Sequence, residues 1–265
     1  MPEPRGRIGF VPPRYGTDVV GGAEAVLSEM AHGLAGRGWD VDVLTTCAKD
    51  HVTWANHYPE GESTDGLVTV KRFATQTDTP GKARERIGGQ ILSGRGASIS
   101  EQQLWVNDSL RVSGLWHYVL DHADDYRALI LGPYMFWTTF AVSQIAPERT
   151  ILMPCLHDEP PAYLDLFAPC FSGSRGLWFL SEPEAELAAT APSHAAPHRD
   201  RGGHRAARFV RSRGVPASIQ HRRALHLLRR TPSGARVGPT CLRLLRPCST
   251  RPPRISRLSR RGGGG

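Results

Sequence analysis

The chain has 265 residues, enough for one large domain or two of ordinary size, and it is 40% hydrophobic and 8% aromatic, which excludes a wholly disordered protein. No apolar run approaches the roughly 18 residues of a transmembrane helix, and the N-terminus lacks the apolar stretch of a signal peptide, so we expect a cytoplasmic protein. Five cysteines without a close Cys-x-x-Cys pair indicate neither a zinc site nor a disulfide framework. The net charge of +8, taken alone, suggests nucleic acid or an anionic membrane surface as a partner.

This charge is distributed unevenly along the chain. Residues 1–189 contain 15 lysines and arginines against 24 aspartates and glutamates, a net charge of −9. Residues 190–265 contain 18 against 1, a net charge of +17, and all 18 basic residues there are arginines. The second stretch also lacks Trp, Tyr and Met and is rich in Pro, Gly, Ala, Ser and His. The composition predicts a globular domain over residues 1–188 and an Arg/Pro/Gly-rich, largely unstructured tail over residues 189–265.

The globular region alternates between short apolar runs, typical of buried strands, and longer segments with apolar residues at helical spacing. The predicted strands are residues 7–11, 39–46, 66–73, 127–131, 150–156 and 176–180. The predicted helices are residues 25–34, 101–121 and 136–145, whereas the Gly-, Arg- and Ser-rich residues 82–100 are predicted to form a loop. Strands separated by helices indicate an α/β fold, a Rossmann-like parallel sheet with helices on both faces.

Ligands of such a sheet bind outside the carboxyl ends of its strands. Three predicted loops follow strands and are far apart in sequence, namely residues 12–24, 132–134 and 157–161. Because the carboxyl ends of parallel strands lie at one edge, we expect all three loops at the same rim of the sheet.

The first of these loops ends in Gly21-Gly22-Ala23-Glu24, at the start of a predicted helix. Two glycines allow the backbone to approach a ligand closely, and the amide groups and dipole of a helix N-terminus favour an anion. The alternative is a tight turn, with Glu24 complementing the positive helix end. A Rossmann dinucleotide site is disfavoured because no Gly-x-Gly-x-x-Gly directly follows the first strand.

These motifs resemble those of a known family. A first strand, an extended loop ending in Gly-Gly-Ala-Glu, a helix and the strand Asp-Val-Asp-Val-Leu-Thr-Thr are similar to the N-terminal domain of GT-B glycosyltransferases, and more narrowly of the retaining family 4 group. The resemblance covers about residues 7–187. It implies that Gly21 and Gly22 lie along the cleft between two Rossmann-like domains, near the donor diphosphate and the acceptor, with Glu24 just behind them.

The resemblance also has implications for ligands. It implies a nucleotide diphosphate sugar as donor, a glycan or small molecule as acceptor, no metal and no other cofactor. For the intact enzyme it implies peripheral association with a membrane, and no specific nucleic acid.

A polar triplet, His157-Asp158-Glu159, follows the predicted strand over residues 150–156. At this edge the histidine can hydrogen-bond a hydroxyl of the donor sugar, which makes it the candidate catalytic residue, and the two carboxylates can bind acceptor hydroxyls. The alternative is a loop whose polar side chains only face water or cap the next turn. A metal site is disfavoured because three adjacent side chains do not point the same way.

A GT-B enzyme needs a second Rossmann-like domain, which binds the nucleotide-sugar and, in this family, carries two glutamates separated by seven residues. Residues 190–265 contain no glutamate and no alternation of strands and helices, so we expect them not to form that domain. Three explanations of the tail are open. It is a basic arm that binds nucleic acid or membrane, a low-complexity linker, or a GC-rich gene translated out of frame, which yields Arg, Pro, Ala, Gly, Ser and His without Lys.

The genetic code favours the third explanation. Codons for residues 224–230, advanced by one base, can read Pro-Phe-Ile-Tyr-Tyr-Ala-Gly, similar to the strand and loop glycine that open the family's C-terminal domain. In the same frame, residues 237–241 can read Trp-Asp-Gln-Leu, similar to the helix start after that loop. Residues 198–207 can read Thr-Val-Ile-Gly-Ala-Gly-Ile-Glu-Pro, similar to the interdomain segment. Three matches in the family's order predict a one-nucleotide frame disruption near residues 188–193.

The sequence therefore predicts a glycosyltransferase-like protein whose intact form transfers a hexose to an acceptor hydroxyl with retention, by positioning and by electrostatic stabilisation of the departing diphosphate. We expect this chain to be inactive, or nearly so, because it lacks the donor domain. The alternative is a non-enzymatic Rossmann-like protein with a basic nucleic-acid-binding arm. That arm would have no lysine and no aromatic stacking residue besides Phe209.

Overall fold

The computed structural model of the chain describes residues 6–76, 82–190 and 209–210. Its strands are β1 (Arg7–Val11), β2 (Asp40–Thr46), β3 (Gly61–Asp65), β4 (Val68–Phe73), β5 (Tyr126–Leu131), β6 (Thr150–Leu152), β7 (Gly176–Trp178) and β8 (Phe209–Val210). They form one sheet in the order β3-β4-β2-β1-β5-β6-β7-β8. Every neighbouring pair is parallel except β3 and β4, which are antiparallel. The predicted α/β fold with a mainly parallel sheet is confirmed.

Helices cover both faces of this sheet. They are α1 (Gly22–Ala35), α2 (Lys82–Leu92), α3 (Ile99–Asn107), α4 (Ser113–His122), α5 (Trp137–Ser143), α6 (Ala168–Gly173) and α7 (Glu182–Thr190), with single 3-10 turns at Ala123–Asp125, Pro160–Tyr163 and Asp165–Phe167. None of the helices in these ranges is long and apolar enough to cross a membrane.

Alternating strand residues divide the core into two clusters. Ile130 of β5 belongs to the cluster that packs against α1, whereas Leu129 and Leu131 belong to the cluster that packs against the other helices. Gly9 in β1 explains how closely the strands pack, since a Cβ at that position would lie 2.7 Å from Leu129 Cδ2. Successive residues of each strand point to opposite faces of the sheet, and both faces are covered by helices. The strands are therefore apolar at consecutive positions, which is why they appear in the sequence as apolar runs.

The predicted loop over residues 82–100 is wrong for its first half, which forms α2. Ile87 and Ile91, one turn apart, are completely or almost completely buried and give the helix its apolar face. Gly88 lets α3 approach, because a Cβ there would lie 3.2 Å from Trp105 Nε1. Polar neighbours and two adjacent glycines hide this short apolar face in the sequence.

The helix predicted over residues 101–121 is also wrong as a single element, because the chain leaves the helical path between α3 and α4. Arg111 pairs with Gln76 in an isolated antiparallel bridge, and the Gln76 N–H donates to Arg111 O at 2.8 Å. A capping box of Ser98 and Glu101 fixes the start of α3. The edge strand β3 was not predicted, because its residues are mostly exposed.

The predicted boundary between domain and tail lies at the end of α7, which closes at Thr190. Of the predicted tail, the structure describes only Ala189 and Thr190, at the end of α7, and Phe209–Val210, which pair with β7. Whether residues 189–265 replace a donor-binding domain therefore stays a prediction.

Candidate functional site

A cleft of about 820 Å³ opens at the carboxyl edge of the sheet. The loops after β1, β5, β6 and β7 line it. Three of these are the loops that the sequence places at one rim; the fourth, after β7, was not predicted as part of the site. The cleft is lined by Gly22, Ala23, Glu24, Pro133, Met135, Cys155, Leu156, His157, Asp158, Glu159, Leu180, Ser181, Pro183, Glu184 and Leu187.

The position of this cleft follows from the strand order. From β1 the chain moves outward through β2 to β4, and it returns to the other side of β1 to form β5. The loops after β1 and β5 therefore leave the sheet edge in opposite directions. A crevice at such a reversal is where open α/β sheets bind ligands.

Helix α1 begins at the cleft with its N-terminus. Gly21 is the N-cap residue and makes no side-chain cap, and Gly22 and Ala23 line the cleft. A Cβ on Gly21 would lie 2.2 Å from Glu24 Oε2, whereas a Cβ on Gly22 would meet no atom within 4 Å. Gly21 thus makes room for Glu24, and Gly22 leaves open space beside the helix N-terminus, a position that favours anions.

Glu24 is buried and bound to Arg14. The Arg14 Nη2 and Nε atoms donate to Glu24 Oε1 at 2.6 and 3.0 Å, and both residues are 7% exposed. Arg14 also donates to the carbonyl oxygens of Val20 and Lys49, both at 3.3 Å. This ion pair holds the loop after β1 against α1 and the loop after β2. This pair was not predictable from the sequence, because Arg14 lies in an irregular loop and Glu24 lies ten residues later in the first turn of α1.

A second ionic contact anchors the tip of the same loop. Asp18 accepts from Lys49 Nζ at 2.6 Å and from the Tyr58 hydroxyl. These two hydrogen bonds, with that of Lys49 the larger effect, lower the pKa of Asp18 to about 2. The loop after β1 is therefore tied at both ends to the loop after β2.

His157, Asp158 and Glu159 lie together on one wall of the cleft, as the sequence predicts. His157 and Asp158 are exposed and Glu159 is half-buried. Asp158 Oδ1 accepts from the Tyr163 hydroxyl at 2.5 Å, and Glu159 Oε1 accepts from the Tyr134 hydroxyl at 3.3 Å. The two carboxylates are thus held in place while the imidazole faces the open cleft.

Glu184 is a buried carboxylate in the cleft that sequence analysis missed. Its Oε1 accepts from the Leu156 N–H at 2.8 Å and its Oε2 from the Leu180 N–H at 2.7 Å, so it joins the loops after β6 and β7. Burial raises the pKa of Glu184, against the smaller lowering effects of its N–H donors and of nearby His157. The sequence feature that could have indicated Glu184 is Ser181-Glu182-Pro183-Glu184, a carboxylate-rich segment directly after the last predicted strand.

The remaining cleft residue with nucleophilic chemistry is Cys155. Burial raises the pKa of its thiol to about 12, with smaller contributions from Glu184 and Glu24. At neutral pH the thiol is therefore protonated and a poor nucleophile.

The cleft combines the N-terminus of α1 with a histidine and two carboxylates from the loop after β6. The first suits a phosphate group and the second suits a sugar. Within the described ranges, no group of three or more His, Cys, Asp or Glu residues is placed to hold a metal ion.

Comparison with known proteins finds similarity of structure but not of sequence. No protein-family model and no curated protein matches the sequence. Among solved structures, a sucrose-phosphate synthase from Thermosynechococcus elongatus is similar, with a TM-score of 0.41 and 14% identity. The match covers 71% of this chain and 45% of that one, so this chain spans less than half the length of the synthase.

Proposed function

We propose that this chain is the acceptor-side half of a GT-B, family 4-type retaining glycosyltransferase. The observation that carries the proposal is the convergence of the Gly21-Gly22 helix start and the His157-Asp158-Glu159 wall in one cleft at the carboxyl edge of the sheet. These motifs are more than 130 residues apart, and the strand order brings them together. A phosphate-binding feature facing sugar-binding side chains is what transfer from a nucleotide-sugar requires.

In this proposal each side of the cleft has its own ligand. The N-terminus of α1, beside Gly22, faces the diphosphate of the donor and stabilises the charge that develops as it departs. His157 hydrogen-bonds a hydroxyl of the donor hexose, and Asp158 and Glu159 accept from hydroxyls of the acceptor. The acceptor oxygen and the anomeric carbon are held together by these contacts, with no metal and no other cofactor.

The donor-binding half is, in this proposal, encoded downstream in the frame one base ahead. The support is that three segments of residues 190–265 can be encoded so as to read as family-like sequence in that frame, together with a tail that has 18 arginines and no lysine. The intact enzyme would work in the cytoplasm, in peripheral contact with a membrane. The 265-residue chain, without its donor half, is expected to be inactive.

Restoring the reading frame tests this function. Deletion of a single base near codons 188–193 should yield a longer protein that releases UDP or GDP from a UDP- or GDP-hexose and transfers the sugar. His157→Ala in that protein should lower turnover by about 100-fold, the typical loss of one polarising hydrogen bond. The control is His122→Ala, which removes an exposed histidine from α4.

Two results would contradict the proposal. One is a folded frame-restored protein that neither hydrolyses nor transfers any nucleotide-hexose. The other is transfer by the purified 265-residue chain at a rate equal to that of the frame-restored protein.

A further inference from the structure

A second cleft, of about 420 Å³, adjoins the first. It lies between the turn that joins α2 to α3 and the 3-10 turn Pro160–Tyr163. Asp158 and Glu159 line both clefts, so these two residues form the wall that the clefts share. Both volumes lie within the range of about 300–1,000 Å³ that is usual for small-molecule sites.

The second cleft has one aromatic and one apolar side. Tyr163 is 45% exposed, although its ring is large and apolar, and its hydroxyl is bound to Asp158. Ile91 and Leu164, both nearly fully buried, form the apolar surface beside it. An exposed ring beside a carboxylate fits a sugar, whose C–H face packs on the ring while a neighbouring hydroxyl donates to the carboxylate.

Two glycines open the opposite wall of this cleft. Gly94 and Gly96 have φ values of +73° and +72°, and a Cβ at either position would meet no atom within 4 Å. The Gln90 side chain fixes this turn by donating to Gly96 O at 2.7 Å. The open space next to Tyr163 is therefore formed by a defined turn. A side chain at Gly94 or Gly96 would strain the backbone, because φ is positive there, and would project into the cleft.

The charge of the residues that line the second cleft favours a neutral sugar over a phosphorylated one. Among the residues that line the second cleft in the described part of the chain, none is Lys, Arg or His, and two are carboxylates. Arg95, between the two glycines, is exposed and its Nε donates to Ser93 Oγ at 3.0 Å. A phosphate in this cleft would face Asp158 and Glu159 without a lining cation, which is repulsive.

We propose that the second cleft is a subsite for a neutral sugar residue, and that the acceptor is a glycan of at least two residues that passes over the Asp158–Glu159 wall. This inference rests on the proposed function, because that function places the reacting acceptor hydroxyl in the first cleft. Binding in the second cleft requires only the residues named above.

Binding of saccharides to the full 265-residue chain tests the subsite. The probes are neutral disaccharides of glucose, mannose and galactose, their monosaccharides, and glucose 6-phosphate, with affinities measured by saturation-transfer NMR and calorimetry. At least one disaccharide should bind about tenfold more tightly than its monosaccharides, the size of one aromatic contact. Glucose 6-phosphate should gain nothing over glucose.

Variants of Tyr163 test whether the tighter binding of a disaccharide comes from the second cleft. Tyr163→Ala should remove the tenfold disaccharide advantage. Tyr163→Phe loses only the hydroxyl that donates to Asp158 and keeps the ring, so it should keep most of that advantage. Tyr163→Leu keeps an apolar side chain if the alanine variant folds poorly, and it should also lose the advantage. The matched control is Leu120→Ala, an exposed apolar residue of α4.

The outcomes separate the two proposals. If monosaccharides bind but no disaccharide binds more tightly, or if Tyr163→Ala keeps the advantage, the subsite is refuted and the proposed function stands. If disaccharides bind through Tyr163 but the frame-restored protein shows no transfer, the subsite stands and the function is refuted. If no saccharide binds at all, the subsite is refuted, and the proposed function is decided by the frame-restored protein.

Discussion

At the scale of single residues, Gly21 and Gly22 look equivalent in the sequence but have different neighbours in the fold. Gly21 has an extended backbone, φ 175° and ψ 133°, which any residue can adopt. What it cannot accept is a side chain, because Glu24 occupies that space and Arg14 holds Glu24 there. Gly22 has open space beside it.

This difference predicts opposite results for two matched variants. Gly21→Ala should lower the free energy of unfolding by about 1–3 kcal/mol, because the new methyl group displaces a pinned side chain. Gly22→Ala should leave it unchanged or raise it, since alanine is the better residue in a helix. Urea denaturation of the two variants measures the difference, and equal losses would show that the packing of Glu24 does not explain Gly21.

The Arg14–Glu24 pair supports a larger prediction at the same scale. Glu24→Ala should lower the free energy of unfolding by about 3–5 kcal/mol, because a buried guanidinium loses its carboxylate. Asp124→Ala is the control, since Asp124 pairs with Arg149 but is 95% exposed at its side chain, and it should change stability by at most about 1 kcal/mol. Similar small losses in both variants would contradict a structural role for the buried pair.

At the scale of elements, Glu184 connects the loops that follow β6 and β7. The folded chain binds a proton at Glu184 more readily than the unfolded chain, because burial raises its pKa above the ordinary 4.5. Stability linked to this group is therefore greatest below the ordinary value and declines as the pH rises through the raised one.

Comparison with Glu184→Gln tests this linkage. The stability of the wild-type chain, measured relative to that of the variant, should decrease as the pH rises from about 4 to about 7. Glu186→Gln, which removes an exposed carboxylate from the same helix, controls for the charge of α7. A wild-type advantage that grows with pH would mean that the carboxylate form is the one the fold prefers.

Elements with a strong local pattern were predictable from the sequence, and elements defined by distant contacts were not. The strand Asp40–Thr46 and helix α1 follow from apolar periodicity alone. Helix α2 depends on the packing of Ile87 and Ile91, and the break between α3 and α4 depends on the bridge from Arg111 to Gln76. No local propensity reports such contacts.

The same distinction applies to the site. The sequence places His157, Asp158 and Glu159 beside the loop of Gly21 because parallel strands share an edge, which is a rule of topology. It does not show that Glu184 reaches Leu156, 28 residues away, or that Tyr163 lies beside a second cleft. Those facts depend on side-chain packing.

At the scale of the whole molecule, the net charge of +8 combines two parts of opposite sign. The region with the cleft carries −9 and residues 190–265 carry +17. A segment that basic binds phosphates without specificity, so retention of nucleic acid by the chain would not identify a partner. We propose that a shift in the reading frame of the gene accounts for this charge.

The nucleotide sequence of codons 194–265, read one base ahead of the present frame, is the most direct test. We predict that this frame is open throughout and encodes Pro-Phe-Ile-Tyr-Tyr-Ala-Gly over codons 224–230, followed by Trp-Asp-Gln-Leu near codons 237–241. Stop codons in that frame, or codons that give unrelated residues in both segments, would contradict the proposal that a donor-binding half belongs beside this cleft.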